Sequence, residues 1–301
     1  MSTTQLFTLI GGGVYLTLIG VSLVLRSRRA SLEKRLMRMS HQVDLPVPDH
    51  LEDELLRHIA RRGRAWAIGT VAAVLALIIP LLLAPDFTTP VIVVALTVIV
   101  AGGAAASVGT ALVDRRRSTF GTPTVARLSG PDVHDLVPLR PAIATAIFAL
   151  AALVVSGATV VNPSTPVGGF TDLTVAALAL AVGSLLGVIG WCVAARAIAR
   201  SRPITGDATT LAWSDALRAE SIRDLLVLPF LSAFMSLQLG VPALTKLVDP
   251  DNPAVTQTAA AVSVYGSLAI VVMMGLFWFD RRSAQHFKHR LWPALEHGRA
   301  A

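Results

Sequence analysis

Seven stretches of this chain, residues 6–25, 65–84, 91–113, 142–161, 173–195, 225–244 and 259–279, contain no Asp, Glu, Lys, Arg or His. At 1.5 Å rise per residue, about 20 residues cross the roughly 30 Å hydrocarbon core of a bilayer. Each odd-numbered run is followed by clustered arginine: Arg26-Ser27-Arg28-Arg29, Val113-Asp114-Arg115-Arg116-Arg117-Ser118, the segment from Arg196 to Arg202, and Phe279-Asp280-Arg281-Arg282-Ser283. Such blocks halt a helix at the membrane surface and are retained on the cytoplasmic side. With the runs threaded in order, Lys246 alone of the 26 Lys and Arg residues falls on the opposite side. The pattern therefore predicts an all-α polytopic membrane helix bundle of seven transmembrane helices, N-outside and C-inside. It forms a single transmembrane domain over residues 1–301. The cytoplasmic segments are 26–64, 114–141, 196–224 and 280–301, and they carry short amphipathic helices.

Composition agrees with a lipid-embedded chain. Hydrophobic residues make up 53% and charged residues 15%, and the mean hydropathy is +0.64. The net charge of +7 would suit nucleic acid if it lay along one face of a soluble domain, but the basic residues flank apolar runs, so no nucleic-acid partner is expected. The single cysteine, Cys192, lies inside an apolar run and reads as a packing residue.

The clearest amphipathic element follows the first arginine block. Asp49 reads as an N-cap with Glu52 three residues on, and Leu51, Leu55, Leu56 and Ile59 share one face. Acids (Glu52, Asp53, Glu54) precede bases (Arg57, Arg61, Arg62, Arg64), the order that suits the helix dipole. The expectation is a helix on the membrane surface or capping the bundle, with docking to another chain as the other reading. A second polar helix is centred on Leu211-Ala212-Trp213-Ser214-Asp215-Ala216-Leu217-Arg218.

Two apolar runs carry small or polar residues. In the fifth, Ala176, Gly183, Gly187, Gly190 and Ala194 fall at helical spacing, and Gly183 with Gly187 makes a GxxxG match, a sign of close helix contact. The sixth contains Pro229 and Pro242 with Ser232, Ser236 and Gln238. Proline frees backbone carbonyls that hydroxyls, neighbouring helices or cavity water must satisfy. These residues fit either a pathway or a packing seam that also includes Ala233, Gly240 and Ala243.

Sites for chemistry are few. Asp132, His134 and Asp135 follow Gly130-Pro131 and read as a turn or helix start, and Asp249-Pro250-Asp251-Asn252-Pro253 also reads as a turn. All seven His residues lie outside the apolar runs, which leaves no bis-histidine haem in the bundle, and the seventh run has no Lys for a retinal Schiff base. There is no phosphate-cradling loop. No catalytic residue, cofactor or metal is expected, and the chain is not read as an enzyme.

The segment Leu211-Ala212-Trp213-Ser214-Asp215-Ala216-Leu217-Arg218, with the Ala-, Val- and Arg-rich runs, resembles uncharacterised integral membrane proteins of high-GC actinobacteria, some of which accompany ABC-transporter ATPases. The resemblance covers the run pattern and that one segment and carries over no functional residue. It implies a bacterial cytoplasmic membrane. The expected function is the membrane subunit of a transport assembly, of ABC-exporter type, working with a separate ATPase. Leu51, Asp53, Glu54, Leu55, Ile59, Trp213, Asp215 and Glu220 are the expected contacts to that partner. The alternative is a non-enzymatic scaffold or assembly factor that binds other membrane proteins, or a second copy of itself, through small-residue faces. A third reading is a membrane sensor that reports through the basic tail.

Overall fold

Long apolar runs without internal charge have one stable form in lipid, the helix, because it satisfies its own backbone. In the computed structural model the described residues are 29–83, 131–161, 170–200, 207–248 and 281–293, with the single positions Gln257, Ala261 and Gly266. Among them there are helices and no strands. The helices are α1 (Arg29–Val43), α2 (Asp49–Leu83), α3 (Val133–Leu136), α4 (Arg140–Val161), α5 (Phe170–Ala199), α6 (Ala208–Leu225), α7 (Val227–Val248) and α8 (Arg281–Leu291). Three helical stretches are long and apolar enough to cross a membrane: Arg140–Thr159, Thr174–Ala199 and Ala208–Val241. The apolar part of the third is α7. The expected spans at 6–25, 91–113 and 259–279 lie outside the described residues, apart from Ala261 and Gly266.

α4, α5 and α7 pack against one another through a seam of small residues. Ala149 and Ala152 of α4, Ala181 of α5 and Ala233 of α7 are fully buried at its centre. Three hydroxyls join the helices. Ser236 donates to the carbonyl of Ala177 at 2.7 Å, which uses its only proton, so Ser156 is the donor in the 2.9 Å contact between the two serines. Ser184 donates to the carbonyl of Pro229 at 2.6 Å. Phe148 meets Phe230 edge to face at 5.6 Å.

Pro229 also explains the α6–α7 junction. Its ring excludes the carbonyl four residues earlier, and it has no N–H to donate. The chain tightens there, with the Leu226 N–H donating to Arg223, and the helix resumes with Phe230 donating to Leu226. Leu226 stays right-handed helical at φ −74°, ψ −20°, so α6 passes into α7 without a loop.

The glycine stripe of the fifth run does not line the buried face. Ala177, Ala181, Ser184, Trp191 and Ala195 are buried, whereas Gly183 and Gly190 are exposed and have open space where a Cβ would sit. A helix apolar on every side carries no hydropathy signal for which face meets its neighbours. Gly187 is the exception, since a Cβ there would lie 3.0 Å from that of Pro229. Gly240 is tighter still, at 2.9 Å from Val155 Cγ1 and 3.3 Å from Ser156 Oγ. Of the sixth-run residues, Pro229, Ser232 and Ser236 are buried, and Gln238 is half-buried.

Gly240→Leu and Gly187→Leu are expected to lower the unfolding temperature of the detergent-solubilised chain, each costing about 1–3 kcal/mol from overpacking. Gly183→Leu should leave it unchanged. Ser236→Ala should cost about 0.6–1.7 kcal/mol, the range of interhelical hydrogen bonds in membranes.

Candidate functional site: the polar helical layer around α6

The N-termini of α4 and α7 and the C-terminus of α5 converge on one layer of polar helices, and α6 is its hub. Asp207 caps α6 by accepting from the backbone of Thr210 at 2.8 Å and from the Thr210 hydroxyl, while His50 lies 3.5 Å from that hydroxyl. These bonds from Thr210 hold the Asp207 carboxyl below its ordinary pKa. Along α6, Ala212, Trp213, Ala216, Ala219 and Ile222 are buried nearly completely. They share one core with Leu36, Val43 and Leu45 of the α1 region, Leu51, Leu55 and Leu56 of α2, Leu136 and Val137, Trp191 and Ala195 of α5, and Phe287 of α8.

The aromatic nitrogens tie this core to backbone. Trp213 Nε1 donates to the Pro46 carbonyl at 2.8 Å, which fixes the α1–α2 link to α6. Trp191 Nε1 donates to Ile222 at 2.8 Å, which fixes α5 to the end of α6. Trp191, near the end of the fifth apolar run, is only 7% exposed and belongs to the core.

Charge is paired around the hub. Asp215, 2% exposed, accepts from Arg218 at 3.3 Å and from Trp292 Nε1 at 3.1 Å. Arg62 of α2 reaches Glu220 at 3.0 Å and also pairs with Asp224, which couples α2 to α6. Lys288 of α8, itself buried, donates to the carboxylate of Asp44 at 2.5 Å and to its carbonyl at 2.9 Å. Asp44 ends α1 in the left-handed region at φ 57°, and the Leu45 N–H bonds back to Ser40 at 3.2 Å. That is the six-to-one bond of a Schellman ending, a position at which Asn and Gly are also accommodated. His286 bonds the His134 carbonyl at 2.8 Å, so α8 spans α1, α3 and α6.

Several expected partner contacts occupy this interior. Leu51, Leu55, Trp213 and Asp215 are buried in the chain's own core. The physical reason is that α1, α2 and α8 close over α6. Asp53 and Glu54 are exposed, Ile59 is partly buried against the core, and Glu220 is held by Arg62. The expected surface helix starts at Asp49 with its first turn bonded to the Pro48 carbonyl, and it continues unbroken to Leu83. At α3 the Asp132 N–H donates to Asp135 Oδ2 at 3.1 Å, the helix start expected there.

Arg62, Asp224, Lys288 and Trp292 were not singled out from the sequence. Partners so distant along the chain leave no spacing signal, with one exception. Lys288 sits among Ala284, Phe287 and Leu291 on the apolar face of α8, and a lysine in that position implies a counter-ion within its reach.

Comparison with family models, curated proteins and solved structures finds no match to this chain.

Trp213→Phe should cost about 1–3 kcal/mol by leaving the Pro46 carbonyl without its donor, measured as loss of thermal stability. Asp207→Ala should cost about 1 kcal/mol as a lost cap. Because folding lowers the Asp207 pKa, its contribution is present above the ordinary carboxylate value and is lost as pH falls through the lowered one. The difference between the Asp207→Ala variant and the parent should therefore shrink in strong acid. Asp44→Asn keeps the left-handed ending but leaves the buried Lys288 without its counter-charge, so it should cost more than Lys288→Met, which leaves only the exposed Asp44 carboxylate, and the double variant should cost less than the sum.

Proposed function

We propose that this chain is the membrane subunit of a transport assembly that works with a separate ATPase, as an ABC-type exporter does, in a bacterial cytoplasmic membrane. The supporting observation is the continuous right-handed backbone from α6 through Leu226 into α7. A displacement of the polar layer is passed directly to an apolar helix, because no loop intervenes to absorb it. The Arg62 contacts to Glu220 and Asp224 extend the same mechanical link to α2. In this reading all seven apolar runs span the membrane, N-outside and C-inside, and the polar layer lies in the cytoplasm. The partner meets the exposed Asp53 and Glu54 of α2, while Trp213 and Asp215 transmit force from within.

The scaffold reading has its own support, since Gly183 and Gly190 are exposed with room for a closely approaching helix. A photo-crosslinking amino acid at Glu54, and another at Gly183, separates the two in native membranes. Transport coupling is expected to give a nucleotide-binding chain at Glu54, and Arg62→Met should reduce ATP hydrolysis by that complex severalfold. Capture of integral membrane proteins alone, at Gly183, would contradict the transport reading and favour the scaffold.

A further inference from the structure

On α4, Arg140, Ile143, Ile147, Leu150 and Val154 follow one another at intervals of three and four residues, as do Val182, Leu186, Ile189, Val193, Arg196 and Arg200 on and just beyond α5. Residues three and four apart share a helix face. All of them are exposed; the apolar members range from 42% at Val182 to 71% at Val154. Each stripe is apolar along the membrane helix and ends in arginine where the helix enters the polar layer. The two helices run in opposite directions, yet both stripes end in arginine at the same level.

Four carboxylates of the layer are engaged with other cations. Asp215 holds Arg218, Glu220 and Asp224 hold Arg62, and Asp44 holds Lys288. Among the described residues, Arg140, Arg196 and Arg200 meet no carboxylate. Exposed guanidinium groups at the end of a long exposed apolar stripe match one chemical object, a phospholipid. Its acyl chain lies along the stripe, and its phosphate accepts two parallel N–H bonds from the guanidinium.

We propose that the ends of the α4 and α5 stripes are recognition sites for anionic phospholipid in the leaflet next to the polar layer, with Arg140, Arg196 and Arg200 binding the phosphodiester. A zwitterionic headgroup adds an ammonium that these arginines repel, so the selection is for net negative lipid. This inference does not depend on the transport reading.

The test uses the full chain in vesicles of equimolar phosphatidylcholine and phosphatidylglycerol, with spin-labelled versions of each lipid. Electron paramagnetic resonance gives the relative association of each with the protein. Phosphatidylglycerol should be preferred by the parent chain, and the preference should fall by about fivefold for each of Arg140→Gln, Arg196→Gln and Arg200→Gln, the worth of one basic residue near an anionic surface. Arg196→Lys should retain most of the preference, since it keeps the charge. Lys34→Gln, an exposed basic site on α1 away from both stripes, should leave it unchanged. An equal preference in the parent and the three glutamine variants would overturn the proposal. So would a Lys34→Gln loss as large as theirs, because that would make the effect one of diffuse charge.

Discussion

The hydrogen bond from Trp213 Nε1 to the Pro46 carbonyl is the contact on which the polar layer depends. It places the largest side chain of α6 beneath the link between α1 and α2, and that position forces the rest of the packing. Leu36, Leu51, Leu55 and Phe287 share one core with the indole, and α8 brings Lys288 to Asp44 and Trp292 to Asp215. The indole is the largest fully buried side chain in the core that α1, α2 and α8 share. Outside such a core, a helix bearing Asp215, Arg218, Glu220, Arg223 and Asp224 would present its charges to the membrane surface.

The layer and the membrane helices are held by different forces, and this division shapes what the protein can do. Above the layer, α4, α5 and α7 associate without a hydrophobic driving force, because lipid is as apolar as their side chains. Small residues and three serine hydroxyls hold them. Within the layer, water is the competing solvent, so burial of Trp213, Phe287 and the leucines stabilises by the ordinary hydrophobic effect. Ion pairs there contribute chiefly orientation, since a partly buried pair gains little net free energy over its desolvation. Arg62 with Glu220 and Asp224 fixes which turn of α2 faces α6.

Charge-free runs made the three described membrane helices legible in the sequence, with α4, α5 and α7 falling on residues 142–161, 173–195 and 225–244 within a few positions at each end. The helical character of the polar segments was legible too, from the acids before bases in α2 and from the leucines at 51, 55, 56 and 59. The direction in which each helix faces was not. α5 is apolar all round, so its glycine stripe looked like a contact face although Gly183 and Gly190 point away from α4 and α7. Trp213 and Asp215 looked like surface groups because a polar sequence gives no sign that three other helices will cover it. Arg62 and Asp224 lie 162 residues apart, and no local pattern connects them.

The burial of α6 is the central claim, and hydrogen–deuterium exchange of the full chain in lipid nanodiscs tests it most directly. The account predicts that the amides of residues 211–222 exchange as slowly as those in the buried stretches of α4 and α7, since all open only with the core. Exchange of that segment within minutes, while α4 and α7 remain protected, would contradict it. α6 would then be an open surface helix, as the sequence alone suggests.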